Sequence, residues 1–172
     1  MKKVFLDTNV LLDFFDSTRA NHIEAKNLIL HLLNNNTTIV FSEDMISTIA
    51  YILKKNSLGL KNFISFLKDI TLHNNFVIAS FGSSVVNMAC NYFELNNGDF
   101  EYYLQYFCAE KENCEAIFSM DSAFPNIRIP VMKYDQVSGG VESPSNSNDS
   151  SSFFINKYFD NPNPTKSKTG DE

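Results

Sequence analysis

Two acidic residues directly follow short apolar stretches that lie far apart in the chain. Asp7 comes after residues 4–6 (VFL), and Asp121 ends the segment AIFSMD at 116–121. Both stretches have the length and composition of buried strands. The carboxyl ends of parallel strands share one edge of a sheet, and α/β proteins bind ligands there. Asp99 begins a predicted helix just before the strand at 116–121, so the sequence predicts that three carboxylates converge.

Converging carboxylates repel one another unless they share a proton or a cation. Mg²⁺ and Mn²⁺ prefer ligand sets made of carboxylates, water and phosphate oxygens. Such an ion activates a water molecule and stabilises the charge that develops on a phosphodiester. Taken alone, an Asp at a strand end is more often a turn residue or a helix cap, and Asp99 has the position of an N-cap. The combination of Asp7, Asp99 and Asp121 favours a Mg²⁺ or Mn²⁺ site.

Several other kinds of active site are excluded by their missing patterns. Phosphatases of the haloacid dehalogenase type need a second Asp two residues after the first, where this chain has Asn9. The phosphate-binding patterns G-x-x-x-x-G-K-[ST] and G-x-G-x-x-G are absent, as is the serine-hydrolase pattern G-x-S-x-G. The three histidines lack the H-E-x-x-H spacing of zinc proteases.

Short apolar strands alternate with helices over most of the chain. The predicted strands cover 4–6, 37–42, 76–80, 116–121 and 129–134. The predicted helices cover 10–15, 20–33, 43–55 and 60–70, a segment from 83 or 84 to about 94, and another from 99 to about 112. This alternation is typical of an α/β fold with a parallel sheet of about five strands.

The composition narrows the class of protein further. The formal net charge is −6, which excludes the class of strongly basic nucleic-acid-binding proteins. RNA binding would therefore need a metal ion or a local basic cluster to offset the repulsion of the phosphates. The three cysteines show no C-x-x-C spacing, which indicates reduced thiols in a cytoplasmic protein. No apolar run approaches the roughly 18 residues of a membrane span.

The composition changes near residue 136. Residues 137–152 are rich in Gly, Ser and Asn, and the aromatic segment FFINKYF follows at 153–159. We therefore predict one domain over 1–135 and a low-complexity, disordered tail over 136–172. The aromatic segment is either without consequence or a docking segment that folds onto a partner.

Three segments carry a resemblance to a known family. They are FLDTNVLLDFF, DFEYYLQYFCAEKENCEAIFSMD and IPV, and together they resemble the PIN-domain ribonucleases over about residues 1–135. The nearest group is the bacterial one that includes the toxins of toxin–antitoxin pairs, the VapC-like proteins. The resemblance implies a three-layer α/β/α sandwich with a parallel sheet of about five strands. It also implies three or four acids that gather around Mg²⁺ or Mn²⁺ and cleave single-stranded RNA.

The resemblance assigns roles to residues of this chain that match positions in the family's motifs. Asp7 matches the first acid and Asp121 the last, while Asp99 matches the first Asp of the family element DFED. Thr8, Asn9 and Ser119 match the polar residues that orient the carboxylates.

Two positions depart from the family pattern. Tyr102 stands where DFED has its second Asp, and Thr48 stands where the family has an acid or Asn. Neither side chain is a good Mg²⁺ ligand. Asp99 lies one turn before Tyr102 on roughly the same face, and Glu43 and Asp44 lie about one turn before Thr48, so these acids are the candidates to substitute.

The resulting hypothesis is a metal-dependent endoribonuclease with Asp7, Asp99 and Asp121 as ligands and Glu43 as a further candidate. The alternative is a catalytically degenerate PIN fold that binds RNA or protein. From the resemblance alone we expect a homodimer and, if the protein is a toxin, a cognate antitoxin. The lack of a long apolar run predicts no membrane association.

Overall fold

The computed structural model describes residues 2–136 and 150–159. The strands are β1 (Lys3–Leu6), β2 (Thr38–Ser42), β3 (Phe76–Ala79), β4 (Ala116–Phe118) and β5 (Val131–Met132). The helices are α1 (Thr8–Phe15), α2 (His22–Asn34), α3 (Asp44–Leu53), α4 (Ser57–Ile70), α5 (Gly82–Asn96), α6 (Phe100–Lys111) and α7 (Ser150–Tyr158), and a 3₁₀ turn covers Tyr134–Gln136.

The five strands form one sheet in the order β3-β2-β1-β4-β5, and every pair is parallel. Val4 of β1 pairs with Ile39 of β2 on one side and with Ala116 of β4 on the other. Helices cover both faces, which explains why β1, β2 and β4 are almost continuously buried and apolar. The three-layer α/β/α fold with five parallel strands is therefore confirmed.

The strand order reverses direction at β1. From β1 the chain builds outward through β2 to β3, then returns to place β4 on the other side of β1. A reversal of this kind leaves a crevice beyond the carboxyl ends of the two central strands. Asp7 directly follows β1 and Asp121 follows β4 by three residues, so both flank that crevice.

The core on one face is dominated by aromatic rings. Phe15 of α1 packs edge-on against Phe63 and Phe66 of α4, with ring centroids 5.1 Å apart in both pairs. Gly59 lets α4 approach α1 this closely, because a Cβ at this position would lie 2.8 Å from the carbonyl oxygen of Phe15. The helix α1, which follows Asp7, is thus positioned by its packing against α4.

Residues Ser150–Tyr158 form the helix α7, which packs on the domain, so the structure differs here from the disorder predicted for 136–172. Phe154 is only 1% exposed and contacts the rings of Phe66, Phe76 and His73. The aromatic segment therefore docks on its own chain. Residues 137–149 and 160–172 lie outside the described residues, and a domain boundary at 135 stays a prediction.

The remaining sequence expectations concern cysteines and membranes. All three cysteines are free; Cys108 and Cys114 are buried, whereas Cys90 is exposed. Burial raises the pKa of both buried thiols to about 12, so they stay protonated and unreactive at neutral pH. Within the described ranges, no helix combines the length and the hydropathy needed to cross a membrane.

Candidate active site

Asp7 is a buried carboxylate at the end of the central strand. Its backbone N–H extends the pairing of β1 with β4 by donating to the carbonyl oxygen of Phe118 at 2.9 Å. The side chain is 0% exposed, and its Oδ2 accepts a hydrogen bond of 2.7 Å from the hydroxyl of Ser119, which is itself fully buried. The other oxygen, Oδ1, is buried without a hydrogen-bond partner among the described residues. Such an unsatisfied carboxylate oxygen is costly, which makes it a candidate ligand for a cation.

The electrostatics of Asp7 agree with this geometry. Burial raises the pKa of Asp7 above its ordinary value, and the negative charge of Asp121 acts in the same direction. The Ser119 hydroxyl and the nearby backbone amides of Thr8 and Asn9 lower the pKa in part, without offsetting the burial. Asp7 is therefore ionised at neutral pH only at a cost in stability, which a cation would remove.

Asp121 lies beside Asp7 and is held by three neighbours. Its backbone N–H donates to Ser119 Oγ at 3.2 Å, so a single hydroxyl links the two acids. Its Oδ1 accepts from the N–H of Ala123 at 2.8 Å, and its Oδ2 accepts from the phenol of Tyr102 at 2.6 Å. These bonds hold the pKa of Asp121 below its ordinary value, the Tyr102 bond having the largest effect.

Lys133 supports the segment between the two acids. Its ammonium donates to the carbonyl oxygens of Ser119 at 2.6 Å and of Asp121 at 2.9 Å. It thereby fixes the backbone that carries both side chains, and its positive charge lowers the pKa of Asp121.

Asp99 is the N-cap of α6, as the sequence predicts. Its Oδ1 accepts a hydrogen bond of 2.9 Å from the backbone N–H of Glu101, and the residue is exposed. Among the described residues, the Glu101 N–H is the hydrogen-bond partner of its side chain. The charge of Asp99 also acts on its neighbour Glu101, whose pKa is raised by burial and by the charges of Asp44, Asp99 and Asp7.

Gln105 connects Glu101 to the first turn of α1. Its side chain is 0% exposed, and its Nε2 donates to Glu101 Oε1 at 3.2 Å and to Thr8 Oγ1 at 3.3 Å. The Thr8 hydroxyl therefore accepts from Gln105, and Asn9 Oδ1 accepts from Arg19 Nη2 at 3.5 Å. Among the described residues, neither side chain has a hydrogen bond to Asp7 or Asp121, and their role in orienting the carboxylates stays a prediction.

The start of α3 contributes Asp44 rather than Glu43. Glu43 occupies the N-cap position, is exposed and makes no capping bond. Asp44 is half-buried, and its Oδ1 is buried without a partner among the described residues. Thr48, one turn further along α3, is also half-buried.

Four side-chain oxygens in the described ranges are buried without a hydrogen-bond partner. They are Asp7 Oδ1, Ser42 Oγ, Asp44 Oδ1 and Gln105 Oε1. All four belong to residues at the carboxyl ends of β1 and β2 or on the two helices beside them. However, no three Asp, Glu, His or Cys side chains in residues 2–136 and 150–159 stand close enough to form a metal site. The acids at this edge of the sheet therefore do not form a ready-made ligand cluster.

Glu101, Gln105 and Lys133 are residues of the site that the sequence reasoning missed. For Glu101 and Gln105, a signal exists in the pattern of α6. Gln105 is the one polar residue in a buried run that also contains Tyr103, Tyr106, Phe107, Cys108 and Ala109. A buried polar side chain needs a partner, and Glu101 lies one turn earlier on the same face.

Comparison with known proteins agrees with the fold. The family model of the PIN domain matches residues 4–130. Ribonuclease VapC1 of Aquifex aeolicus (strain VF5) is 36% identical over 137 residues, covering 78% of this chain and 92% of that protein.

Two solved structures are similar in fold. One is Mycobacterium tuberculosis VapC20, described as a toxin that cleaves the sarcin–ricin loop. Its TM-score is 0.56 at 14% identity, over 70% of this chain and 92% of that one. The other is VapBC2 from Rickettsia felis bound to a DNA fragment from its promoter. Its TM-score is 0.52 at 20% identity, over 76% of this chain and 98% of that one.

Proposed function

Because this chain belongs to the PIN-domain family, we propose that it is a divalent-metal-dependent ribonuclease that cuts single-stranded RNA. The observation that carries the proposal is Asp7. It is a fully buried carboxylate with one unpaired oxygen, next to Asp121, at the crevice where the strand order reverses. A structural role alone would favour a neutral or fully hydrogen-bonded side chain at this position.

The chemistry of the donors suits a hard divalent cation, which would have to draw the carboxylates together because no three of them stand within reach of one ion in the described residues. The unpaired oxygens of Asp7 and Asp44 are carboxylate oxygens, the ligand type that Mg²⁺ and Mn²⁺ prefer. We propose that Asp7, Asp44 and Glu101 would hold the ion together with Asp121, and that Asp99 adds negative charge at the rim. The bound ion would supply an activated water and neutralise charge on the phosphodiester.

The chain's own residues would keep these carboxylates oriented. Ser119 fixes Asp7 by accepting the Asp121 N–H and donating to Asp7 Oδ2. Gln105 orients Glu101 from the buried side. Tyr102 stays a hydrogen-bond donor to Asp121, because burial and that carboxylate raise the pKa of the phenol well above its usual range.

The biological role that we propose is that of a toxin. The R. felis structure is named as a VapBC assembly, and the M. tuberculosis structure is named as a toxin. We accordingly propose a protein antitoxin as partner. A homodimer, expected from family membership, and a cytoplasmic location, expected from the free cysteines, are further parts of the proposal.

One observation favours a second candidate, a PIN fold without catalysis. Tyr102 stands where the family has a metal-binding Asp, and its phenol occupies a lone pair of Asp121 Oδ2. A site that lacks this acid and engages another acid with a phenol would bind an ion more weakly. In that case the protein would serve as a binding module.

Cleavage of single-stranded RNA in the presence of Mn²⁺ separates the two candidates. We expect the wild type to cut and Asp7→Asn to lose at least about 100-fold in rate, since even losing a residue that supports a metal ligand costs about 10–100-fold. Glu115→Gln is the matched control, because Glu115 is an exposed carboxylate at the opposite, amino edge of the sheet. Equal rates for wild type and Asp7→Asn would refute the proposal. An inactive wild type that gains cleavage through Tyr102→Asp would favour the second candidate.

A further inference from the structure

A surface cavity of about 340 Å³ adjoins the acidic crevice on its α1 side. Its lining includes Asn9, Asp13, Arg19, Asn21, Asp121 and Ser122. The cavity therefore shares Asp121 with the candidate active site. A group bound there would lie directly next to whatever the carboxylates hold.

Arg19 is the one cationic side chain in this lining, and it is rigidly anchored. Its Nε donates to Oδ1 of Asp13, a carboxylate that is only 2% exposed. Asp13 Oδ2 also accepts from Tyr134 at 3.0 Å and from Asn21 at 3.4 Å. The buried carboxylate is thus satisfied from several sides, and it fixes the guanidinium at the cavity wall.

Most of the donors of Arg19 remain for a ligand. The guanidinium has five N–H donors. Nε uses one on Asp13, and Nη2 makes only a long contact of 3.5 Å with Asn9 Oδ1. Nη1 makes no hydrogen bond to any residue that the structure describes, and the side chain is 34% exposed. Asp13 is buried and bonded through both of its oxygens, whereas Arg19 keeps unused N–H groups on a partly exposed side chain, so donors remain for an incoming anion.

We propose that this cavity binds a phosphate group of the RNA strand adjacent to the phosphodiester that is cut, with Arg19 as its cationic partner. This inference rests on the proposed function and deepens it. A strand that enters an acidic crevice of a protein with net charge −6 is repelled along its backbone. A preorganised guanidinium beside Asp121 offsets that repulsion at one position, because its planar N–H groups match a phosphate. Asn21 and the exposed Ser122 add neutral donors to the same wall.

Binding of an uncut single-stranded RNA, measured without divalent metal, tests the inference independently of catalysis. Arg19→Gln should weaken binding about tenfold and reduce the slope of log K against log salt by about 0.7, the value for one phosphate contact on a single strand. The control is Arg128→Gln. Arg128 is the only other arginine, is paired with Glu110 at 2.6 Å and is not part of the cavity lining. Arg19→Lys, which keeps the charge but not the planar fork, should recover part of the affinity.

A second variant covers the case in which Arg19→Gln fails to fold. Ser122→Asp leaves the Asp13–Arg19 pair intact and adds a negative charge to the cavity, so it should also weaken RNA binding about tenfold. Ser83→Asp, at an exposed position on α5, is its control. Circular dichroism establishes that each variant is folded.

Steady-state kinetics of RNA cleavage then distinguish the role of the cavity from that of the carboxylates. Where the wild type cuts RNA, Arg19→Gln should raise KM about tenfold and leave kcat within about twofold, whereas Asp7→Asn removes kcat. Unchanged affinity and salt slope in folded Arg19→Gln, or equal losses in Arg128→Gln, would overturn the inference. A third outcome would also overturn it: millimolar inorganic phosphate inhibits RNA cleavage in an Arg19-dependent way, while the affinity for RNA does not depend on Arg19. The cavity would then be a site for free phosphate. An inactive wild type contradicts the proposed function only, since the binding measurements still decide the inference.

Discussion

At the scale of single residues, Asp7 illustrates how a functional side chain can lower the stability of the fold that carries it. One carboxylate oxygen is bonded to Ser119 and the other is buried and unpaired. Asp7→Asn keeps the shape and removes the charge. In the absence of metal we therefore expect the variant to be more stable than wild type by about 1–3 kcal/mol, the usual cost of an unsatisfied buried polar group. Urea unfolding in EDTA at pH 7 measures the difference.

The same residue fixes a pH dependence with a definite sign. Since the pKa of Asp7 is higher in the folded chain than its ordinary value of 3.8, the folded state binds more protons between those two values. The contribution of Asp7 to stability is complete below pH 3.8 and is lost as the pH rises through the raised pKa. The gain in Asp7→Asn should therefore shrink as the pH falls towards 3.8, and Glu115→Gln should show no such trend. A gain independent of pH would contradict the burial of the charge.

Tyr102 permits a second residue-scale prediction. Its phenol makes the largest contribution to the low pKa of Asp121. Tyr102→Phe removes the donor and keeps the ring contact with Phe124 at 5.0 Å between centroids. We expect the pKa of Asp121 to rise in Tyr102→Phe. Carbon-detected NMR titration of the Asp121 carboxyl group measures this change. Tyr51→Phe is the control, because Tyr51 is 79% exposed. An unchanged Asp121 titration would mean that the hydrogen bond does not persist in solution.

At the scale of elements, local sequence patterns predict most of the domain but not α7. The strand β2, the helix α6 and the cap at Asp99 follow from β-branched runs, helical spacing and N-cap chemistry. The helix α7 lies in a segment whose composition is typical of disorder. Its aromatic pattern marks a candidate docking segment, but its order depends on Phe66 and Phe76, which are far away in the chain, so the local pattern could not show where it docks.

Phe154 and Phe153 provide a matched test of α7. Phe154 is 1% exposed, whereas its neighbour Phe153 is 44% exposed and stacks on His73 with centroids 5.1 Å apart. Phe154→Ala should destabilise the protein by about 3 kcal/mol or release α7 from the domain, and Phe153→Ala should cost less than about 1 kcal/mol. Chemical denaturation and hydrogen exchange of residues 150–158 measure both effects. Equal effects of the two variants would indicate that α7 does not dock as described.

At the scale of the whole molecule, the site arises where the strand order reverses. The sequence could predict Asp7, Asp121 and Ser119 as neighbours, because strand ends in a parallel sheet share an edge. It could not predict that Asp44 rather than Glu43 turns inward, or that Glu101 joins the acids. Those outcomes depend on how α3 and α6 are rotated about their axes when they pack on the sheet. The sequence of a short helix does not determine that rotation.

Titration of the protein with Mn²⁺, followed by calorimetry and by the electron paramagnetic resonance of the ion, is the most direct test of the central claim. Wild type should bind one ion, and Asp7→Asn, Asp44→Asn and Glu101→Gln should each weaken binding by at least about tenfold. Glu115→Gln should bind like wild type. If wild type binds no ion, or if the three variants bind Mn²⁺ as tightly as wild type does, the carboxylates at the edge of the sheet do not form a metal centre.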